Sequence, residues 1–212
     1  SGNYSNINTG ATRGVIGDLI FNVGKNDQYS VDNWTISDNT VAPEPVVIAS
    51  YPINDASLAS TDTDTESTAG NLTLGGDWHA SSASDNLYND NEPAGKPAYT
   101  NSQFVQFTVT PNTGLSIDYT KLSFDFYDPV RASHVTAYYS TDGFTTATEI
   151  GTIDYAADDD WDPGQFNLDA LGTLDTAVSF RLYGWRDAGT TASGRQTRFD
   201  AIEVMGAVGT GS

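Results

Sequence analysis

Val178-Ser179-Phe180-Arg181-Leu182-Tyr183-Gly184-Trp185 alternates without a break: Val178, Phe180 and Leu182 fall on one side, and Ser179, Arg181, Tyr183 and Trp185 on the other. Successive side chains of an extended chain point to opposite faces, so this period of two marks a strand with one face turned to a core. Working outward, the same period recurs three times. Phe104 to Thr110 aligns Val105, Phe107 and Val109. Lys121 to Asp128 turns Leu122, Phe124 and Phe126 inward, with Asp125 and Tyr127 opposite. His134 to Thr141 sets Val135, Ala137 and Tyr139 against His134, Thr136 and Tyr138. Between these runs stand Pro111-Asn112-Thr113-Gly114, Thr141-Asp142-Gly143, Asp162-Pro163-Gly164 and Ala188-Gly189, all read as turn chemistry. No stretch of useful length carries a helical stripe. The pattern predicts an all-β fold.

Composition agrees and narrows the functions. Aromatic residues make up 11% of the 212-residue chain, including 11 Tyr, 9 Phe and 4 Trp, enough large apolar surface for a folded core. There are 28 Asp plus Glu against 9 Lys plus Arg, a formal net charge of −19. Such a surface repels phosphate backbones and anionic lipid, so neither nucleic acid nor a membrane is an expected partner. No apolar run approaches the length needed to span a bilayer. The chain has 0 Cys, which removes disulfides, thiolate metal sites and cysteine nucleophiles, and it fits a bacterial exported protein. The opening Ser1-Gly2 reads as an appended dipeptide, leaving room for a trimmed targeting segment.

One boundary is legible. Thr40-Val41-Ala42-Pro43-Glu44-Pro45 reads as an extended linker, because each proline biases its predecessor away from helix. Tyr29 to Ser37 and Thr197 to Met205 both carry an aspartate (Asp32, Asp200) two residues before a large apolar side chain, like two versions of one closing strand. We therefore expect residues 1–40 to be the tail of a preceding module or added strands. A linker at 41–45, a β-sandwich module at 46–208 and a tail at 209–212 follow.

From Val46 onward the chain resembles a β-sandwich module of secreted and surface bacterial proteins, including PEP-CTERM-type proteins. The resemblance rests on Ile53-Asn54-Asp55-Ala56-Ser57-Leu58, Phe107 to Gly114, Leu122-Ser123-Phe124-Asp125-Phe126, Ser140-Thr141-Asp142-Gly143-Phe144, Val178 to Trp185 and Arg198-Phe199-Asp200. It implies an antiparallel two-sheet jelly roll like those of carbohydrate-binding modules and laminin-G-like domains. It implies no activity, since folds and functions separate easily. Residues 76–100 and the Asp-rich loop at 158–162 depart from the pattern, and a ligand specific to this chain is expected there.

Four of the six arginines, Arg181, Arg186, Arg195 and Arg198, fall between residues 181 and 198. Arg181, Tyr183 and Trp185 share one strand face. An aromatic plane beside guanidinium groups can hold a sugar by ring stacking and forked hydrogen bonds, or it is an ordinary outer face with Arg–Asp pairing. We take Arg181, Tyr183, Trp185, Arg186 and Arg195 as candidate ligand-binding residues, extended by the loop tryptophans Trp78 and Trp161. A lone loop tryptophan can equally be a lid over the core.

For calcium, which takes six to eight oxygens, the candidates are Asp55 with Asp200, and Asp158 with Asp160. In jelly rolls of the resembled kind the first and last strands are neighbours that such an ion ties together. The alternatives are an Asp200 paired with Arg198 or Arg181, and a solvated acidic loop.

Catalysis finds little support. His79 and His134 have no metal-ligand spacing, and neither a Gly-x-Ser-x-Gly elbow nor a phosphate-cradling glycine loop occurs. The expectation is a non-catalytic, secreted or cell-surface bacterial module that binds polysaccharide, acidic or sulfated if the arginines serve it, with neighbouring domains in the same chain. The alternatives are a calcium-stiffened structural or adhesive spacer and a jelly-roll polysaccharide lyase using His134, Tyr138 and Arg181.

Overall fold

The alternating runs fold as strands of two facing sheets. The structure, a computed structural model, describes residues 43–128, 133–156, 160–189 and 196–210. The expectations for residues 1–40 and 41–42, for Arg195 and for Asp158 lie outside the described residues. So do 211–212.

The first sheet holds β1 (Val46–Tyr51), and the short β2 (Ser67–Ala69) and β3 (Thr73–Leu74) follow it in the second. β4 (Trp78–Ser81) and β5 (Asn86–Asn89) return to the first sheet, and β6 (Val105–Pro111) to the second. Then come β7 (Leu115–Tyr127), β8 (Ser133–Ser140), β9 (Thr148–Tyr155), β10 (Asp162–Asn167), β11 (Thr173–Leu174), β12 (Val178–Arg186) and β13 (Thr197–Thr210). The seven-stranded sheet runs β10-β7-β13-β5-β4, with β1 also on β13 and β11 also on β7. The six-stranded sheet runs β2-β6-β12-β8-β9, with β3 also on β6. All of these pairings are antiparallel. The chain is an antiparallel two-sheet β-sandwich.

The inward faces are those the alternation specifies. Val105, Phe107, Val109, Leu122, Phe124, Phe126, Val135, Ala137, Val178, Phe180 and Leu182 are all buried in one core. Phe107 stacks on Phe180 at 5.4 Å between centroids, and Phe124 meets Phe199 edge-on at the same 5.4 Å. Burying one phenylalanine contributes about 1.5–3 kcal/mol, so these rings are a main support of the sandwich.

Two local expectations change. Asp162-Pro163-Gly164 is not a turn but the start of β10, registered against Phe126, Asp125 and Phe124. β10 is an edge strand, where the missing proline N–H breaks no ladder. Gly164 is required because a Cβ there would meet the Phe124 ring and the Tyr155 hydroxyl. β13 also runs on to Thr210, opposite Leu115, so Gly209 and Thr210 are strand and not tail.

The two outer faces differ. Over the six-stranded sheet lies the segment 93–104. Arg186 donates its amide to Pro93 O (3.0 Å), and Gly95 donates to Arg186 O (2.7 Å). The Tyr138 hydroxyl donates to Pro97 O at 3.0 Å. On the seven-stranded sheet, Asp125, Tyr127, Arg198, Asp200 and Glu203 all reach solvent.

Candidate functional site: two outer faces, one covered

The expected platform on β12 is on the covered face. Tyr183 is fully buried, and its hydroxyl donates to Tyr99 O at 2.7 Å. Trp185 is buried too; its indole N–H donates to Thr136 Oγ1 (2.9 Å) and its ring stacks on His134 at 4.0 Å. The Arg181 guanidinium lies between the rings of Phe104 (4.1 Å) and Phe144 (3.9 Å). Its Nε donates to Gln106 Oε1 and its Nη1 to Tyr99 O, both at 2.7 Å. Arg186 sits 3.4 Å from the buried Glu92 carboxylate. Arg181 and Tyr183 through their side chains, and Arg186 through its backbone, therefore hold the 93–104 segment down, while Trp185 is buried against His134 and Thr136 in place of presenting an open surface. The pattern Arg–aromatic–aromatic serves a second small core of Tyr138, Phe144 and Tyr183.

The loop motif Ser140-Thr141-Asp142-Gly143-Phe144 belongs to the same device. Asp142 accepts the amide and hydroxyl of Thr146 and the hydroxyl of Ser140, and Ser140 Oγ accepts the Phe144 amide. Those bonds, the Thr146 amide first, hold the Asp142 carboxyl down at about 2. They fix Phe144 at φ 66°, with its ring over Arg181.

The residues of the lyase alternative are engaged as well. His134 Nδ1 is 2.7 Å from Asp154, the Tyr138 hydroxyl is bound to Pro97 O, and Arg181 is held as above. A groove of about 580 Å³ beside β1, lined in part by Asp62, Asp64 and Glu66, has no histidine, tyrosine or arginine in its wall.

Trp78 is not a loop residue. It lies in β4, buried, stacked on Phe199 at 5.0 Å. Trp161 is the opposite case: 40% exposed, immediately before β10, with its ring 5.4 Å from Tyr127.

From Trp161 a row of side chains crosses the open face. The pairing of Asp162 with Phe126 sets Trp161 beside Tyr127. Tyr127 pairs with Arg198, Arg198 with Tyr88, and Tyr88 with His79. The alternate positions Phe126, Phe199, Leu87 and Trp78 are buried, so the row itself faces outward. The Arg198 guanidinium lies 5.3 Å from the Tyr127 centroid, and the rings of His79 and Tyr88 are 5.3 Å apart. Arg198 Nη2 donates to Gln196 Oε1 (3.2 Å), and Gln196 Nε2 donates to Asp90 (2.9 Å), which steadies it. Four interstrand steps make the row roughly 19 Å long.

Behind the row lie Pro163, Asp125 and Asp200, and behind these Gln165, Ser123 and Glu203. The Asp200 carboxyl is raised, first by burial and then by the charges of Asp125 and Asp85, against the Ala201 amide that donates to it at 2.7 Å. Asp85 accepts the Asp55 amide at 2.9 Å.

Among the described residues no three His, Asp or Glu side chains converge to hold a metal ion. Asp55 and Asp200 belong to no such group among the described residues, and Asp160 lies exposed before Trp161.

The sequence does not mark Tyr127, Tyr88, His79 and Arg198 as a group. The outward phase of Tyr127 is legible in its strand, but the strand neighbours that complete the row are not.

No protein-family model matches the chain. No curated protein matches it either. Among solved structures it is similar to a family 29 carbohydrate-binding module from Piromyces equi, at 12% identity and TM-score 0.39, covering 81% of this chain and 93% of that one. A variant of such a module complexed with cellulohexaose is 14% identical with TM-score 0.39, covering 78% and 93%. A variant complexed with mannohexaose is 14% identical with TM-score 0.37, covering 77% and 93%. Likenesses this distant decide nothing about a ligand. Function has to be read from this chain's own surface.

Proposed function

We propose that the chain is a non-catalytic module that binds polysaccharide on the outer face of its seven-stranded sheet. The observation that carries this reading is the row Trp161, Tyr127, Arg198, Tyr88, His79. Sugar rings have apolar faces and hydroxyl edges. A strip of aromatic rings broken by one guanidinium meets both, by stacking and by forked donation. A face built on paired strands is also stiff, so little side-chain order is lost on binding.

The secreted or surface setting and the bacterial source remain part of this proposal, supported by the cysteine-free, acidic composition, and so do further domains in the same chain, supported by the linker-like stretch Thr40 to Pro45. Among the described residues no helix is long and apolar enough to cross a membrane.

Affinity electrophoresis through gels containing polysaccharides tests the reading. Trp161→Ala is expected to weaken retardation at least about tenfold, the loss of one stacking anchor, with little change in melting temperature. Retardation that survives both Trp161→Ala and Tyr127→Ala would remove this face from consideration.

A further inference from the structure

The charge around the ring row is lopsided in a way that bears on which polysaccharide it takes. The acidic or sulfated ligand expected from the sequence rested on four clustered arginines. Arg181 and Arg186 are engaged on the covered face, Arg181 with the Tyr99 carbonyl and Arg186 with the buried Glu92 carboxylate. Arg195 lies outside the described residues. Arg198 is the one of them that stands on the open face, and its guanidinium already lies over Tyr127 and donates to Gln196.

Against Arg198 stand the carboxylates of Asp125 and Asp200, cross-strand partners in the next row, with Glu203 one row further. Asp85 is close enough to act electrostatically on Asp200. Lys121 is three rows away, opposite Met205. A polyanion laid on the row would bring a repeating negative charge alongside Asp125 and Asp200, inside the field of a chain with net charge −19. Hydroxyls have the opposite fit. Ionised carboxylates are acceptor-only groups with several open lone pairs, and hydrogen bonds to them are charge-assisted.

We propose that this face selects uncharged polysaccharide chains laid across the strands and rejects carboxylated or sulfated ones, with Asp125 and Asp200 as the specificity-determining residues. The inference rests on the reading of the ring row given above. Asp125 and Asp200 set the sign of the ligand, and the rings set its presence.

The intact chain, Trp161→Ala, and the double variant Asp125→Asn/Asp200→Asn are compared by affinity electrophoresis. The gels contain neutral polymers (mixed-linkage β-glucan, galactomannan) or anionic ones (alginate, carrageenan), at low and high salt. Melting curves confirm that each variant is folded. The expected result is retardation of the parent chain by a neutral polymer and not by the anionic ones. The double variant should gain about tenfold affinity for the anionic polymers, in a salt-dependent manner, once two adjacent repulsions are gone. Retardation of the parent chain by alginate or carrageenan that Trp161→Ala abolishes would overturn the inference and leave the ring row standing. A folded double variant that gains nothing on the anionic gels would also overturn it. Neutral binding indifferent to Trp161→Ala would bring down the ring row, and this inference with it.

Discussion

Arg181 shows how one side chain can be read in two ways. On the outward phase of a strand, next to Tyr183 and Trp185, it has the makings of a ligand contact. In the fold it is a rivet, with two aromatic rings clamping its plane and two of its N–H groups tied to Gln106 and to the carbonyl of Tyr99. A guanidinium is planar, always charged and weakly hydrated, so it tolerates such a sandwich where an ammonium would not. Arg181→Ala is expected to destabilise the chain by about 2–4 kcal/mol, combining lost charge-assisted bonds, lost cation–π contact and the carbonyl left behind. Urea unfolding measures it. A stable variant that simply stops binding polysaccharide would return Arg181 to the ligand.

At the scale of the element, β13 does the most to shape the open face. Its register against β7 shifts between Asp200 and Glu203, and Ala201 there adopts φ 47°, a left-handed conformation that an alanine disfavours. The bulge presents Asp200 beside Asp125 and tucks its carboxyl partly out of water. Because burial and like charges raise this group's folded-state value above 3.8, ionisation costs stability. The sign follows: the folded chain binds the proton more tightly than the unfolded one, so this contribution favours folding at low pH and is lost as pH rises through the raised value. Asp200→Asn removes the charge and keeps an oxygen for the Ala201 amide. At neutral pH the variant is expected to melt about 2–4 °C higher, and the gain should vanish below pH 3.8, where the unfolded chain's carboxyl is also protonated. Melting curves across pH would count against this if the parent were the more stable at pH 7. The covered face has a counterpart in the β8–β9 loop, where Asp142 is held low and so contributes stability that is lost as pH falls towards about 2.

For the molecule as a whole, a net charge of −19 is the dominant long-range fact. Self-repulsion of that size disfavours the compact state, and added sodium chloride is expected to raise the melting temperature by screening it. The same measurement addresses calcium. The four aspartates proposed for it, Asp55, Asp200, Asp158 and Asp160, include one outside the described residues, and those that are described do not converge. A bound ion stabilises by mass action, beyond screening. Calcium that raises the melting temperature no more than sodium at matched ionic strength, with EDTA making no difference, would end the proposal of a structural ion.

The class, the inward phase of the long strands and the sign of the surface are all legible in the residue order, because strand period, turn chemistry and charge are local or additive properties. Residues such as Phe107, Phe124 and Phe180 announce their side of the sheet through their immediate neighbours alone. Which outer face is open depends on how the chain packs. The 93–104 segment is tied down on Tyr138 and Tyr183 through the backbone carbonyls of Pro97 and Tyr99, which leave no mark on the residue pattern. The ring row is likewise a product of register. His79, Tyr88, Tyr127 and Arg198 come from four strands and Trp161 from the residue before a fifth, scattered over half the chain, and they meet because the sheet orders β10, β7, β13, β5 and β4 side by side. Neighbourhood across a sheet depends on which distant strands pair and at what offset, and that is settled by the packing of the whole core.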